Sequence, residues 1–104
     1  MSYQTFKEHI AKGASFFKSI PKDVEIKVVS NYDADGISAC AILLRMLERD
    51  GRKYVVEILP QLKEGCIQQY VDENYQCYIF SDLGSGQISL LNKYLPERKI
   101  IVLD

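Results

Sequence analysis

The chain alternates between short runs of β-branched and aromatic residues and longer segments in which apolar residues recur every three or four positions. Each short run predicts a buried strand, and each longer segment predicts a helix with one apolar face. The predicted strands are 25–30, 54–59, 76–81 and 99–103, and the predicted helices are 3–17, 37–50, 64–74 and a segment after Gly86. This alternation predicts an α/β fold, with a parallel sheet of about four strands and helices on both faces.

Proline and glycine mark the ends of two predicted helices. The apolar positions between Tyr3 and Phe17 fall on one helical face, and Pro21 lies just beyond the end of that segment. Gly51 follows the segment 37–50 at the position where a left-handed glycine commonly closes a helix. The second helix is therefore expected to stop there and to lead directly into the second strand.

Composition places the chain among ordinary globular proteins. Of its 104 residues, 47% are apolar and 26% are charged, which suits one domain or a piece of one. It contains no apolar run of the ~18 residues that a membrane-spanning helix needs, so no membrane partner is expected. Cys40, Cys66 and Cys77 lack C-x-x-C spacing, which predicts reduced thiols in a cytoplasmic protein.

The charge balance limits how the protein can bind nucleic acid. The formal net charge is -1, whereas domains that grip duplex DNA through their own surface usually carry a basic excess. Any binding of nucleic acid by this chain is therefore expected to depend on metal ions or on another domain.

Acidic residues follow three of the four predicted strands. Asp33 and Asp35 come after the first strand, Asp82 after the third and Asp104 after the fourth. Sites in parallel sheets form beyond the carboxyl ends of the strands, so these carboxylates are expected to converge. Their mutual repulsion favours bound divalent cations, and oxygen ligands favour Mg²⁺ or Mn²⁺. Two such ions, about 3.5–4 Å apart, can activate water and hold a phosphate.

Other interpretations of these acids remain. A single aspartate after a strand commonly caps a helix or joins a surface ion pair. The sequence NYDADG at 31–36 also resembles the start of a calcium-binding EF-hand loop, but Ile42 occupies the position that requires glutamate. An aspartyl-phosphate hydrolase pattern is a weaker match, because Ile37 stands where that pattern has threonine.

A short glycine-rich turn follows the third strand. Gly84, Ser85 and Gly86 could bring backbone N–H groups close to a phosphate, with the following helix contributing its N-terminus. These three residues are therefore candidate substrate-binding residues, although most turns of this kind only reverse the chain.

Three segments together resemble motifs of the DHH phosphoesterase superfamily, and most of all its RecJ-like single-strand exonucleases of the archaeal type. SNYDADG at 30–36 resembles the first motif and FSDLGSG at 80–86 the second. VLD at 102–104 resembles the approach to the Asp-His-His motif, stopping after its first letter. The chain ends on a predicted strand, so residues 1–104 are expected to be the N-terminal part of a longer DHH domain.

The resemblance implies an activity and a site. Members hydrolyse phosphodiester bonds with two Mn²⁺ or Mg²⁺ ions and act on single-stranded DNA in recombination, repair or replication. By this likeness Asp33 would bind one ion, Asp35 the other, and Asp82 both. Asp104 would lie beside the site, and Asn31 and Asp104 are further candidate ligands. Partners would be single-stranded nucleic acid and, in the full-length protein, the GINS complex or other replisome proteins.

Departures from the family pattern leave alternatives open. The family usually has histidine where this chain has Asn31, and an amide oxygen is a poorer metal ligand than imidazole. A non-catalytic RecJ-like scaffold of the replication complex is therefore one alternative, and a phosphodiesterase for short oligonucleotides is another. Because the histidine motif is missing, residues 1–104 alone are expected to be inactive and to bind metal weakly.

Overall fold

A four-stranded parallel sheet forms the centre of the protein. The structure is a computed structural model that describes Lys18 and residues 20–104. The strands are β1 (Ile26–Asn31), β2 (Tyr54–Leu59), β3 (Cys77–Ser81) and β4 (Lys99–Leu103). They lie in the order β2-β1-β3-β4, and every neighbouring pair is parallel. The predicted α/β class and the predicted four-stranded parallel sheet are confirmed.

Helices cover both faces of the sheet. They are α1 (Ala34–Arg49), α2 (Glu64–Val71) and α3 (Ile88–Tyr94), and a 3-10 turn, Ser85–Gln87, precedes α3. On one face α1 packs on β1 and β3, and on the other α2 and α3 lie side by side. The prediction of helices on both faces is therefore also confirmed. None of the helices in the described residues is long and apolar enough to cross a membrane.

Alternation along the central strands divides the core into two layers. In β1, Val28 packs in the layer under α1, whereas Val29 packs in the layer under α2 and α3. In β3, Ile79 packs in the layer under α1 and Phe80 packs in the layer under α2 and α3. Because both faces of these strands are buried, β3 is nearly continuous in apolar residues, as parallel strands usually are, whereas β1 also buries Lys27 and Ser30.

Two helix boundaries differ from the predictions. Helix α1 begins at Ala34, three residues before the predicted start, because Asp33 caps it. Helix α2 ends at Val71 rather than at residue 74. The predicted end at Gly51 is confirmed: this glycine has a φ of 67°, and the N–H of Arg52 bonds to the carbonyl of Leu47, 2.9 Å away. The predicted helix 3–17 lies outside the described residues.

A buried lysine ties β1 to the end of α2. Lys27 is only 6% exposed, and its Nζ lies 2.6 Å from Glu73 Oε2 and 3.6 Å from Glu57 Oε2. The same ammonium lies 4.6 Å from the centroid of the Tyr70 ring. A buried charge is tolerated only when it is paired, and here two carboxylates and an aromatic face surround it.

All three cysteines are free thiols. Cys40 and Cys77 are buried in the layer under α1, and burial raises the pKa of Cys77 to about 11. Cys66 lies within α2 and is partly buried. Cys40 and Cys77 are thus core residues, as predicted, whereas their reduced state in a cytoplasmic protein stays a prediction.

Candidate carboxylate site

The parallel sheet brings the predicted acids to a single edge. Ser30 of β1 lies opposite Ser81 of β3, and Ser81 lies opposite Leu103 of β4. The acidic segments that follow these strands therefore leave the sheet at the same end and at the same height. We call Asp33, Asp35, Asp82 and Asp104 the carboxylate rim.

The other three acids of the rim affect the pKa of Asp82. Its pKa is raised above the ordinary aspartate value, first by burial and then by the negative charges of Asp33, Asp104 and Asp35. Charges repel in this way only when they lie near one another and are incompletely screened by water. The four carboxylates therefore form one electrostatic group, although they come from three separate strands.

Two of the acids also have structural roles at the start of α1. Asp33 is the N-cap, because its Oδ1 accepts a hydrogen bond from the backbone N–H of Gly36 at 2.7 Å. Asp35 lies in the first turn, where a negative charge stabilises the helix dipole. The helix-cap interpretation of a strand-end aspartate thus applies to Asp33, whose Oδ1 is engaged in the cap.

Asn31 closes the loop between β1 and α1. Its Nδ2 donates to the carbonyl oxygen of Asp82 at 3.3 Å, and its Oδ1 accepts from the N–H of Asp33 at 3.3 Å. Gly36 packs so closely on Asn31 that an added Cβ would lie 2.6 Å from the Asn31 carbonyl oxygen. The loop therefore requires glycine there, and Asn31 acts as a clamp between two acids.

The loop after β3 holds its backbone in an uncommon conformation. Asp82 has a φ of 61°, which non-glycine residues rarely adopt and which costs about 1–3 kcal/mol. Gly84 follows with a φ of 106° against the side chain of Phe80. Strain of this kind persists only where the surrounding structure enforces it, and here it lies at the acid predicted to be central to the site.

The predicted substrate-binding turn is engaged with Asp104. The backbone N–H and the hydroxyl of Ser85 both donate to Asp104 Oδ2, at 3.2 and 2.7 Å. Gly84 is buried, and Gly86 is exposed. In this arrangement the N–H of Ser85 orients Asp104, so phosphate binding at Gly84, Ser85 and Gly86 remains a prediction.

The side chains of the rim are of a type that binds divalent cations, but too few of them lie close together to form a site. The donors of the rim are carboxylate oxygens, which suit Mg²⁺ and Mn²⁺, and a cation would relieve the repulsion at Asp82. Among residues 20–104, however, no three side chains of His, Cys, Asp or Glu lie close enough to hold a metal ion. The described residues therefore do not by themselves form an assembled metal site.

The sequence does not predict one buried polar group next to the rim, the hydroxyl of Ser81. Ser81 is fully buried, and its Oγ has no hydrogen-bond partner. Its neighbour across the sheet, Ser30, instead donates to the carbonyl oxygen of Gly36 at 3.1 Å. No sequence signal distinguishes these two serines, because each simply precedes the residues that leave its strand.

A concave region lies at the opposite end of the sheet from the rim. It is a cavity of about 630 Å³ whose lining includes Asp23, Glu25, Asp72, Glu73 and Tyr75. Residues 23–25 precede β1 and residues 72–76 precede β3, so the cavity is at the amino ends of the strands. It contains none of the predicted site residues and is separate from the carboxylate rim.

Comparison with known proteins gives a relative without an assigned function. No protein-family model matches the chain. An uncharacterized protein of Methanocaldococcus jannaschii is 33% identical over 82 residues. These residues make up 76% of the chain but only 18% of the length of that protein. The chain thus spans less than a fifth of the relative that it matches.

Proposed function

We propose that the chain is the N-terminal part of a metal-dependent phosphodiesterase of the DHH superfamily. In this proposal the full-length protein is an exonuclease that acts on single-stranded DNA in recombination, repair or replication in the cytoplasm. Asp33, Asp35 and Asp82 bind Mn²⁺ or Mg²⁺, and Asn31 and Asp104 are further candidates. The GINS complex or other replisome proteins are candidate partners of the full-length protein.

The observation that carries the proposal is that the parallel sheet brings four aspartates to one edge, and the raised pKa of Asp82 agrees with it. Three other carboxylates approach a partly buried fourth, and the backbone of that fourth residue is strained. Replacing Asp82 with a neutral residue would remove this repulsion. Such a group therefore favours a function that uses the negative charge, and cation binding is the simplest one.

The residues of the chain have distinct tasks in this proposal. Asp82 extends from the middle of the rim and would contact both ions, with Asp33 and Asp35 on the α1 side. The hydrogen bonds from Ser85 hold Asp104 in place beside them. Bound divalent cations supply two things that the side chains cannot, a water of lowered pKa and positive charge for the phosphate oxygens. Ligands that complete the set would come from other parts of the full-length protein.

The test is hydrolysis of end-labelled single-stranded DNA by the full-length protein with Mn²⁺. We expect Asp82→Asn to reduce the rate at least about 100-fold, because one shared carboxylate is lost while the side-chain shape is kept. Asp72→Asn is the matched control, since this exposed acid lies at the opposite end of the sheet. Undiminished hydrolysis by the Asp82→Asn variant would refute the assignment.

One observation favours a second candidate, a non-catalytic scaffold of the replication complex. Both polar atoms of Asn31 are committed to hydrogen bonds within the fold, so this side chain is aimed at backbone rather than at a ligand. Calorimetric titration of the full-length protein with Mn²⁺ separates the candidates. Absence of binding favours the scaffold, and binding that depends on Asp82 favours the enzyme.

A further inference from the structure

An exposed aromatic side chain stands next to the carboxylate rim. Tyr32 is the residue between the end of β1 and the N-cap Asp33, and it is 67% exposed. Its backbone is fixed, because its N–H donates to the carbonyl oxygen of Leu59 at 2.8 Å. Among residues 20–104, no other ring and no cationic side chain packs on its ring. Tyr32 thus has an anchored backbone and a largely exposed side chain.

Exposed apolar side chains of α1 and β2 lie at the same end of the sheet as Tyr32. The hydroxyl of Tyr54, at the start of β2, donates to Glu48 near the end of α1 at 2.6 Å. Since α1 runs antiparallel to the strands, the start of α1 lies beside the end of β2. Ile37 lies on the same side of α1 as Glu48, eleven residues or about three turns earlier. It is 52% exposed, and Ile58 near the end of β2 is 41% exposed.

The charge of the surroundings restricts what this surface can bind. The rim is acidic and the chain has a net charge of -1, so attraction to phosphates contributes little affinity without cations. Aromatic stacking is the alternative source of affinity for single strands, and it requires an exposed ring beside the path of the backbone. Tyr32 meets this requirement, because it adjoins Asp33 at the edge where the phosphodiester would lie.

We propose that Tyr32 is a base-stacking residue for single-stranded nucleic acid, with Ile37 as the apolar wall beside it. The proposal rests on the proposed function, because the carboxylate rim determines where the phosphates lie. In this proposal, the stacked bases contribute most of the affinity of this surface for the strand. The protein should therefore prefer unpaired strands, whose bases are free to stack, over duplexes.

The test compares two fluorescent oligomers of equal length, one of deoxythymidine and one of abasic nucleotides with the same phosphates. Their affinities for the full-length protein are measured by anisotropy with Ca²⁺ in place of Mn²⁺, so that binding is separated from hydrolysis. We expect Tyr32→Ala to bind deoxythymidine roughly 5- to 100-fold more weakly than the unmodified protein. Binding of the abasic oligomer should not change, and Tyr32→Phe should retain the preference for bases.

Val71→Ala is the matched control, because Val71 is 41% exposed at the end of α2, far from the rim. Equal affinity of Tyr32→Ala and the unmodified protein for deoxythymidine overturns the proposal, even if hydrolysis is intact. Loss of affinity for both oligomers also overturns it, and so does self-association that Tyr32→Ala abolishes, since the occupant is then a second copy. If base-dependent binding requires Tyr32 but Mn²⁺ supports no hydrolysis, this proposal stands and the enzymatic one fails.

Discussion

The side-chain amide of Asn31 donates a hydrogen bond to the backbone carbonyl of Asp82, with 3.3 Å between Nδ2 and the oxygen. This bond joins the loops that follow β1 and β3, the two central strands of the sheet. Because Asn31 Oδ1 also accepts from the N–H of Asp33, a single side chain fixes the backbone of two acids of the rim. The side chain of Asn31 is therefore a structural clamp between the two loops.

Replacing Asn31 with alanine should destabilise the protein. The change removes both hydrogen bonds and leaves the Asp82 carbonyl without this donor, so we expect a loss of roughly 1–2 kcal/mol in the free energy of unfolding. Denaturant unfolding followed by circular dichroism measures it. Asn92→Ala, at an exposed amide in α3, should change stability by less than about 0.5 kcal/mol. Equal effects of the two changes would show that the clamp contributes nothing.

Glycine-to-alanine changes in two helices should have opposite effects. Gly36→Ala places a Cβ 2.6 Å from the Asn31 carbonyl oxygen, and we expect it to destabilise the protein by about 1–3 kcal/mol. Gly65→Ala, in α2, places a Cβ in open space and should stabilise by roughly 0.5–1 kcal/mol. Thermal unfolding of both variants tests this. A stable Gly36→Ala variant would contradict the tight loop below the rim.

Two neighbouring serines should also respond in opposite directions. Ser81→Ala removes a buried hydroxyl without a partner, so the unfolding free energy should rise by about 1 kcal/mol. Ser30→Ala removes the bond to the Gly36 carbonyl and should lower it by a similar amount. Chemical denaturation of the pair provides the comparison. A loss of stability in Ser81→Ala would mean that the hydroxyl has a partner, such as a buried water.

The raised pKa of Asp82 predicts a pH dependence of stability in the metal-free protein. The folded state binds this proton more tightly than the unfolded state, so the contribution of Asp82 is fully present below the ordinary aspartate pKa. It is lost as the pH rises from that value through the raised pKa. The Asp82→Asn variant has no ionisable group at this position and does not lose this contribution. Its free energy of unfolding, relative to that of the unmodified protein, should therefore increase as the pH rises from the ordinary aspartate pKa through the raised one.

Unfolding curves at a series of pH values with a chelator present measure this difference. Asp72→Asn is the control, because it keeps the charge of Asp82 and should follow the unmodified protein through the window. A constant difference between Asp82→Asn and the unmodified protein at all pH values would contradict the repulsion within the rim.

Much of the fold could be predicted because its strands are strongly apolar. Both faces of β1 and β3 are buried, so each strand contains a run of apolar residues, and Gly51 marks the end of α1. The start of α1 was predicted too late because Asp33 serves as its N-cap. A strand-end aspartate suits a helix cap and a metal site equally well, and only the bond to the N–H of Gly36 reveals the cap.

Other features depend on partners that are distant in the sequence. Lys27 interrupts an apolar run, and its partner Glu73 is 46 residues away, so no local pattern announces that the lysine is buried. In the same way, the pairing of Ser85 with Asp104 joins two loops that only the sheet brings together. The shared edge of the acids was predictable from parallel topology, but the hydrogen bonds that orient them were not.

The central claim is that separate strands deliver their acids to one rim because divalent cations bind there. Calorimetric titration of the full-length protein with Mn²⁺ tests it most directly, with Asp82→Asn and Asp72→Asn as the matched pair. We predict saturable binding that Asp72→Asn retains and Asp82→Asn weakens at least about tenfold. Equal affinity of the two variants, or no binding by the unmodified protein, would contradict the claim.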